Sequence, residues 1–313
     1  MSERLRAFDR RQQHSRLLAF PVAVIKKFTE DQAGQLGALI AYYAFISLFP
    51  LLLILVTVLG FVLQDHPSER QTILDGTLGK IPLISDSITI QGLHGSVAAL
   101  VVGVVLALLA GMGITNATQS AFNRIWGVPF KSRPNAIVRR LHSLGALLLL
   151  GSLSVVSAVV AGAVGAGGES FIAGVIATLV ALAFNLLLFF LAFKLLTAKS
   201  LEWRDVIIGV IVATVFWQLL EHLGGIYVDH TLKRTTPLYG VFAIVLGLLA
   251  WLFLAGQLVL VAAEVNVVRY YRLWPRTLFT EDVLDADRRA MTMSAEVEER
   301  LEIQNVEVDF DGN

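Results

Sequence analysis

The sequence of 313 residues has no cysteine and few charged side chains. The lack of cysteine excludes disulfide bonds, thiolate metal ligands and cysteine nucleophiles. Charged residues make up 16% of the chain, against roughly 25% in soluble domains. Apolar residues reach 56%, and the mean hydropathy is +0.69. This composition argues against a water-soluble enzyme and favours a membrane protein.

Motifs for catalysis are also lacking. The histidines form no HEXXH motif, no closely spaced cluster with aspartate and no partner set for a catalytic triad. No glycine-rich loop with Lys and Ser or Thr is present to hold the phosphates of a nucleotide. We therefore predict that this chain is not an enzyme, holds no metal ion or other cofactor, and does not bind nucleic acid.

Long runs without Asp, Glu, Lys or Arg are abundant. A helix needs roughly 20 apolar residues to cross a hydrocarbon core about 30 Å thick. The fifth candidate is the weakest, because Glu221 and His222 interrupt it. The sequence predicts an all-α polytopic membrane protein whose domain at 37–270 has six transmembrane helices, at about 38–63, 96–114, 143–168, 171–193, 206–228 and 237–263.

The basic residues predict which way the spans are oriented. If all six cross, 21 of the 25 Lys and Arg residues share one side, in 1–36, 124–140, 194–204 and the tail. Lys and Arg are retained on the cytoplasmic side during insertion. We therefore expect both termini to be cytoplasmic, and dropping the fifth span would spoil this pattern.

Three segments outside the spans have their own character. Residues 1–36 predict a basic interfacial helix rather than a cleaved signal, since Lys26 and Lys27 directly follow its apolar stretch. The 64–95 loop predicts a short amphipathic helix on the outer side. Residues 271–313 form an acidic tail, for which we expect a short helix near 286–301 followed by disorder.

Rows of small residues spaced four apart mark the second and third spans, with Gly103 and Gly162 as examples. In lipid, close backbone contact associates helices, so we interpret these rows as packing surfaces rather than as the lining of a substrate path. Pro50 lies in the middle of the first span and predicts a kink, which is either static or a functional hinge.

Polar groups at membrane depth are costly and are candidates for function. Glu221, His222 and Asp229 predict either a proton-linked or cation-binding outer site, or a solvated helix end paired with Lys233 or Arg234. Asn185 and Gln218 are deeper in the fourth and fifth spans. They either contact a substrate or simply hydrogen-bond between helices.

Five sequence motifs together resemble the YihY/BrkB family over residues 20–270. They are AYYAFISLFP at 41–50, AFNRIWG at 121–127, WRD at 203–205, YG at 239–240 and AEVN at 263–266. The resemblance implies a six-span protein of the bacterial inner membrane, in a family linked to virulence or transport. Some members carry the older name ribonuclease BN, which fits poorly because this chain lacks a hydrolase ligand set.

These motifs supply further candidate site residues. Asn123 and Arg124 stand at a predicted cytoplasmic mouth, where they could bind an anionic headgroup. Arg124 could instead only enforce orientation or pair with Glu264, for which Arg139 and Arg140 are other candidate partners. Tyr42, Tyr43 and Ser47 offer hydroxyls to an amphiphile or a neighbouring helix. The predicted interface anchors are Trp203, Arg204, Asp205 and Glu264.

The leading hypothesis is a transporter or flippase for an amphipathic, anionic, lipid-like molecule, with the lipid bilayer as its other partner. The alternative is a membrane scaffold, or an envelope-integrity or virulence-associated factor, that transports nothing. A ribonuclease is the third and least favoured hypothesis, since the metal ligands are missing. The sequence leaves the substrate, the energy coupling and the oligomeric state open.

Overall fold

The computed structural model describes residues 3–62, 97–165, 171–232, 240–279 and 283–310, and the regular structure in these ranges is helical. A single 3-10 turn, Phe130–Ser132, interrupts the loop between two of the long helices. The described ranges contain nine α-helices: α1 Glu3–Gln13, α2 Arg16–Glu30, α3 Ala33–Val62, α4 Val97–Ile125, α5 Ala136–Gly165, α6 Phe171–Leu195, α7 Trp203–Leu232, α8 Gly240–Tyr270 and α9 Asp285–Glu296.

Helices α3 to α8 are long and apolar enough to cross a membrane, which confirms the six predicted spans and the all-α fold. Several helices are longer than the apolar runs that predicted them. Helix α4 continues to Ile125 and α5 begins at Ala136, because helical hydrogen bonding extends into segments that contain polar and charged residues. The predicted outer helix at 64–95 lies outside the described residues.

The six long helices are arranged as a closed ring. Each helix from α3 to α7 contacts the next one along the chain, and α8 returns to contact α3. Helix α8 also contacts α4 and the short helix α2. Short connections between sequential helices favour such neighbour packing.

Among the described residues, the largest fully buried apolar side chains lie at one end of this ring. Phe122, Trp126 and Phe193 have no exposed surface, and Val206 and Leu260 are equally buried. We call this the basic end, defined by α2, residues 126–135, residues 196–202 and residues 271–310. It is the end that the positive charges predict to be cytoplasmic.

Close backbone contact holds α7 against α8. A Cβ atom at Gly209 would lie 2.4 Å from the carbonyl oxygen of Ala262 and 2.3 Å from Asn266 Nδ2. The Gly209 N–H donates to Asn266 Oδ1 at 2.6 Å. Gly103 lies against α3, where an added Cβ would be 3.2 Å from Ile54 Cγ1. The surroundings of Gly162 lie outside the described residues.

The two termini meet at the basic end. The predicted interfacial segment forms α1 and α2, and its position at a lipid interface stays a prediction. Asp9 Oδ1 accepts the N–H of Leu278 at 2.9 Å. Helix α9 falls where a short tail helix was expected. After it, the carbonyl oxygens of Val297 and Glu299 accept the N–H groups of Phe130 and Lys131. The predicted disorder that follows stays a prediction.

Candidate functional site

A groove of about 480 Å³ opens between α4, α5 and α6 at the basic end. Leu141 and Leu149 from α5 and Leu195 and Leu196 from the end of α6 make part of its wall apolar. Two further wall residues, Gly145 and Ala146, are small and leave room between the helices. The groove therefore offers an apolar surface close to the ends of α4 and α6 and the start of α5.

The polar part of the groove is positively charged. Arg133, Arg139 and Lys194 line it together with His142, and no Asp or Glu is among its described lining residues. Arg139 and Lys194 are exposed, so their charges are available to a ligand. Arg133 is partly buried and donates from Nε and Nη2 to the carbonyl oxygen of Val128 at 3.1 and 2.9 Å. Such a set suits a phosphate or carboxylate group.

Asn123 is the predicted headgroup residue that the structure places in this groove. Its Oδ1 accepts the N–H of Ala198 at 2.7 Å, which joins α4 to the end of α6. That bond fixes the amide orientation and leaves the NH₂ group as the remaining donor of this side chain. Asn123 therefore shapes the groove as well as lining it.

Arg124, the other predicted headgroup residue, lies elsewhere. It is not among the described lining residues of the groove, and its Nε donates to the carbonyl oxygen of Asp31 at 3.0 Å. Asp31 pairs through its carboxylate with Lys27, whose Nζ also lies 3.4 Å from the carbonyl oxygen of Ile125. Burial raises the pKa of Asp31 above its ordinary value, and the Lys27 ammonium opposes that rise. This arrangement gives Arg124 a structural contact.

Glu264 has no exposed surface and lies near Lys27, Asp31 and Glu30. Neither of its carboxylate oxygens has a hydrogen-bond donor among the described residues. The predicted pairing with Arg139, Arg140 or Arg124 is therefore wrong. Arg139 lines the groove, and Arg124 is bonded to the Asp31 carbonyl oxygen instead.

The candidates on α3 are not gathered in the groove. Tyr42 is 54% exposed, whereas Tyr43 packs so close to α4 that a Cβ at Gly113 would lie 2.5 Å from its ring. Ser47 is buried and its hydroxyl donates to the Ala44 carbonyl oxygen at 2.7 Å. Pro50 lies inside α3, which continues past it to Val62.

The candidates in the other spans are also separate from the groove. Asn185 is partly buried in α6. In α7, Gln218 Nε2 donates to Glu221 at 3.2 Å, and Trp217 Nε1 donates to the same carboxylate at 2.6 Å. His222 is exposed, and the side chain of Asp229 lies outside the described residues. The structure thus joins Gln218 to the predicted outer polar group.

The anchor motif at the start of α7 is arranged as a helix cap. Asp205 Oδ2 accepts the Glu202 N–H at 2.8 Å, so the third helical residue reaches back to the residue before the helix. Trp203 is 56% exposed, and the Arg204 guanidinium lies 5.2 Å from its ring centre. In the described part of the chain, no group of three or more His, Asp or Glu residues could hold a metal ion.

Sequence reasoning did not identify Arg133, His142 or Lys194 as candidates for a shared site, and it assigned Arg139 only to pairing. They come from a loop and two helices, and their charges were counted only for orientation. The density of basic residues in 131–140 was the available signal, but it does not say which side chains face the groove. That depends on the rotation of each helix.

The fold and its apolar outer surface define an integral membrane protein with six spans. The chain belongs to the family described as virulence factor BrkB, whose model matches residues 24–279 and confirms the resemblance seen in the motifs.

Curated relatives are similar along most of this chain. The UPF0761 membrane protein of Janthinobacterium sp. is 24% identical over 91% of this chain and 70% of its own length. The inner membrane protein YhjD of Escherichia coli is 23% identical, covering 84% and 85%. The ribonuclease-like protein YfkH of Bacillus subtilis is 22% identical, covering 82% and 96%.

The match does not extend over the whole of every relative. The chain spans 61% of the UPF0761 membrane protein of Acinetobacter baylyi and 62% of that of Stenotrophomonas maltophilia. No solved structure matches this chain.

Proposed function

We propose that this chain is a transporter or flippase of the bacterial inner membrane, and that its substrate is an amphipathic, anionic, lipid-like molecule. The observation that carries the proposal is the groove between α4, α5 and α6. Its walls combine leucines with Arg133, Arg139 and Lys194, so that one ligand could place an acyl portion and an anionic headgroup in it.

The position of the groove supports this proposal. It lies at the basic end, beside the point where α6 ends and α5 begins. A lipid headgroup sits at the boundary of the apolar layer, and basic side chains between helix ends are suited to bind it. The relative YhjD is named as an inner membrane protein, which supports the proposed location.

The test is lipid movement in reconstituted vesicles. Full-length protein is placed in phosphatidylcholine vesicles containing a trace of fluorescent phosphatidylglycerol or fluorescent phosphatidylcholine. Dithionite then quenches the label in the outer leaflet, with and without an imposed ion gradient. We expect the protein to accelerate the exchange of the anionic lipid more than that of the zwitterionic one.

A matched pair of variants ties the activity to the groove. Arg139→Ala removes a charge that lines it, whereas Arg140→Ala removes the same charge from the neighbouring exposed residue. We expect Arg139→Ala to slow anionic lipid exchange about tenfold or more, the contribution of one charge-assisted hydrogen bond, and Arg140→Ala to act as wild type. Exchange no faster than in empty vesicles for either lipid would refute transport and favour a scaffold.

A further inference from the structure

Helix α9, which precedes the last described segment of the chain, is anchored to the rest of the protein by buried ion pairs. The carboxylate of Asp287 in α9 has no exposed surface and accepts hydrogen bonds from Arg276 Nε at 2.5 Å and Lys26 Nζ at 2.7 Å. Arg276 also donates from Nη2 to both carboxylate oxygens of Glu30 at 2.8 Å. These contacts attach α9 to α2, which itself contacts α8.

From α9, residues 297–306 run alongside the loop that leads into the groove, and we call this segment the strap. The N–H of Phe130 donates to the Val297 carbonyl oxygen at 3.1 Å, and that of Lys131 donates to the Glu299 carbonyl oxygen at 2.8 Å. Lys131 Nζ lies 2.8 Å from Glu299 Oε2 and donates to the Gln304 carbonyl oxygen at 2.7 Å. The strap thus holds both the backbone and the side chain of Lys131.

Arg133 is connected to the strap through the ring of Phe130. The Arg133 guanidinium lies 4.0 Å from the ring centre, and that of Arg300, in the strap, lies 5.2 Å from it. The Val128 carbonyl oxygen accepts two of the five guanidinium N–H groups of Arg133, which leaves three as donors. Arg133, which lines the groove, therefore packs against Phe130, and the strap contacts Phe130 directly.

Charge reinforces this connection. Burial lowers the pKa of the Arg133 guanidinium, and the carboxylate of Glu298 in the strap opposes that change. A guanidinium stays charged across such shifts, so Arg133 keeps its positive charge in the groove. The strap itself lies beyond residues 24–279, which the family model matches, whereas Arg133 and the groove lie within them.

We propose that the strap positions Arg133 for anion recognition, with the Lys131–Glu299 pair as the contact that holds the Phe130 ring and the arginine in place. The proposal rests on the proposed function, because it takes the groove as the site that binds the headgroup. Lys131 and Glu299 are positioning residues, since neither lines the groove.

Two substitutions that break the same contact change the charge in opposite directions. Full-length protein in dodecyl maltoside micelles is titrated with dioctanoyl phosphatidate, and the Kd is measured by calorimetry. Lys131→Ala removes a positive charge and Glu299→Gln removes a negative one. If the pair positions Arg133, both variants raise the Kd about three- to tenfold, the range expected when a flexible side chain must be ordered on binding.

Two further variants separate positioning from other effects. The exchange Lys131→Glu with Glu299→Lys restores the ion pair in reverse, and we expect it to recover most of the wild-type affinity. Glu302→Gln removes the same charge as Glu299→Gln from an exposed strap residue, and we expect it to leave the Kd unchanged. Thermal unfolding of each variant identifies any that fails to fold, and the exchanged pair then serves as the test.

Each outcome decides between the two proposals. If Lys131→Ala weakens binding while Glu299→Gln strengthens it, only local charge matters and the positioning role is overturned. If the exchanged pair binds as weakly as the single variants, the positioning role is also overturned. If Arg139→Ala and Arg133→Ala both leave the Kd of phosphatidate unchanged, the groove is not the site and the proposed function loses its basis.

Discussion

At the basic end of the ring, Phe122 and Phe193 have no exposed surface, whereas Val155 and Val159 near the other end of α5 are 63% and 65% exposed. Helix α4 shows the same contrast within one element, from the exposed Val101 to the buried Phe122. Lipid is as apolar as these valines, so they gain little by turning inward. The exposed half is therefore built to face lipid, and the buried half is where protein contacts define the shape.

The two halves also differ in what connects their helices. At the basic end, ion pairs and side-chain bonds to the backbone link residues that are far apart along the chain. In the other half, contacts such as that of Gly103 with Ile54 come from small residues that let helices approach. Among the described residues, polar networks that join distant parts of the chain concentrate at the basic end, and the groove lies within that region.

The largest expected effect concerns which side of the membrane the basic end faces. Reporter fusions after residue 20, within 130–138, at 200 and after 280 should be cytoplasmic, and those near 80, 168 and 232 should be external. The reason is the retention of Lys and Arg on the cytoplasmic side. A cytoplasmic reading at 232 would mean that α7 does not cross.

Breaking the buried ion pair between Arg276 and Asp287 should give the largest loss of stability. Arg276→Leu leaves Asp287 buried without its main partner, and we expect it to lower the free energy of unfolding by about 3–5 kcal/mol. Denaturant titration in micelles, followed by tryptophan fluorescence, measures this change.

Arg300→Leu is the matched control for that loss. Its ion pair with Glu298 joins side chains that are 71% and 52% exposed, so the change should be about 0–1 kcal/mol. Equal losses for Arg276→Leu and Arg300→Leu would show that burial of the network does not matter to stability.

Close contact between helices should have an intermediate effect. Gly209→Ala places a methyl group against the Ala262 carbonyl oxygen and Asn266, and we expect it to cost about 1–3 kcal/mol in the same titration. Nothing lies within 4 Å of a Cβ added at Gly151, so Gly151→Ala should be neutral or stabilising. If both variants have the same free energy of unfolding, α7 and α8 are able to move apart without a loss of stability.

Hydropathy and charge along the chain were enough to predict the six spans and to single out the basic end. These signals are local, so they do not require knowing which helices are neighbours. The attachment of α9 to α2 could not be predicted, for the opposite reason. Asp287 is held by Lys26, which is 261 residues away in sequence, and no local pattern marks such a pair.

The residues that line the groove were predictable only in part, as Asn123 and its neighbour illustrate. The motif that contains Asn123 drew attention to the end of α4 that lines the groove, but its neighbour Arg124 is bonded to the Asp31 carbonyl oxygen instead. Arg139 lines the groove, whereas the adjacent Arg140 is not among its described lining residues. Helix rotation decides such cases, and composition carries no information about it.

The smallest expected effect is a pH-dependent loosening of the strap. Hydrogen bonds from Lys131 and from the Val306 N–H lower the pKa of Glu299 below its ordinary value of 4.5. The ionised carboxylate is thus favoured in the folded chain. Its contribution to the stability of the strap is therefore complete above about pH 4.5 and is lost as the pH falls through the lower folded-state pKa.

Hydrogen exchange measures this loosening. At the N–H groups of Phe130, Lys131 and Val306, exchange corrected for intrinsic rates should accelerate as the pH falls. Glu299→Gln should exchange faster at neutral pH and show no such step. High salt should reduce the difference between the two proteins, because the pair is partly open to solvent. If protection of these three groups falls equally in wild type and Glu299→Gln as the pH is lowered, another group holds the strap to the groove loop.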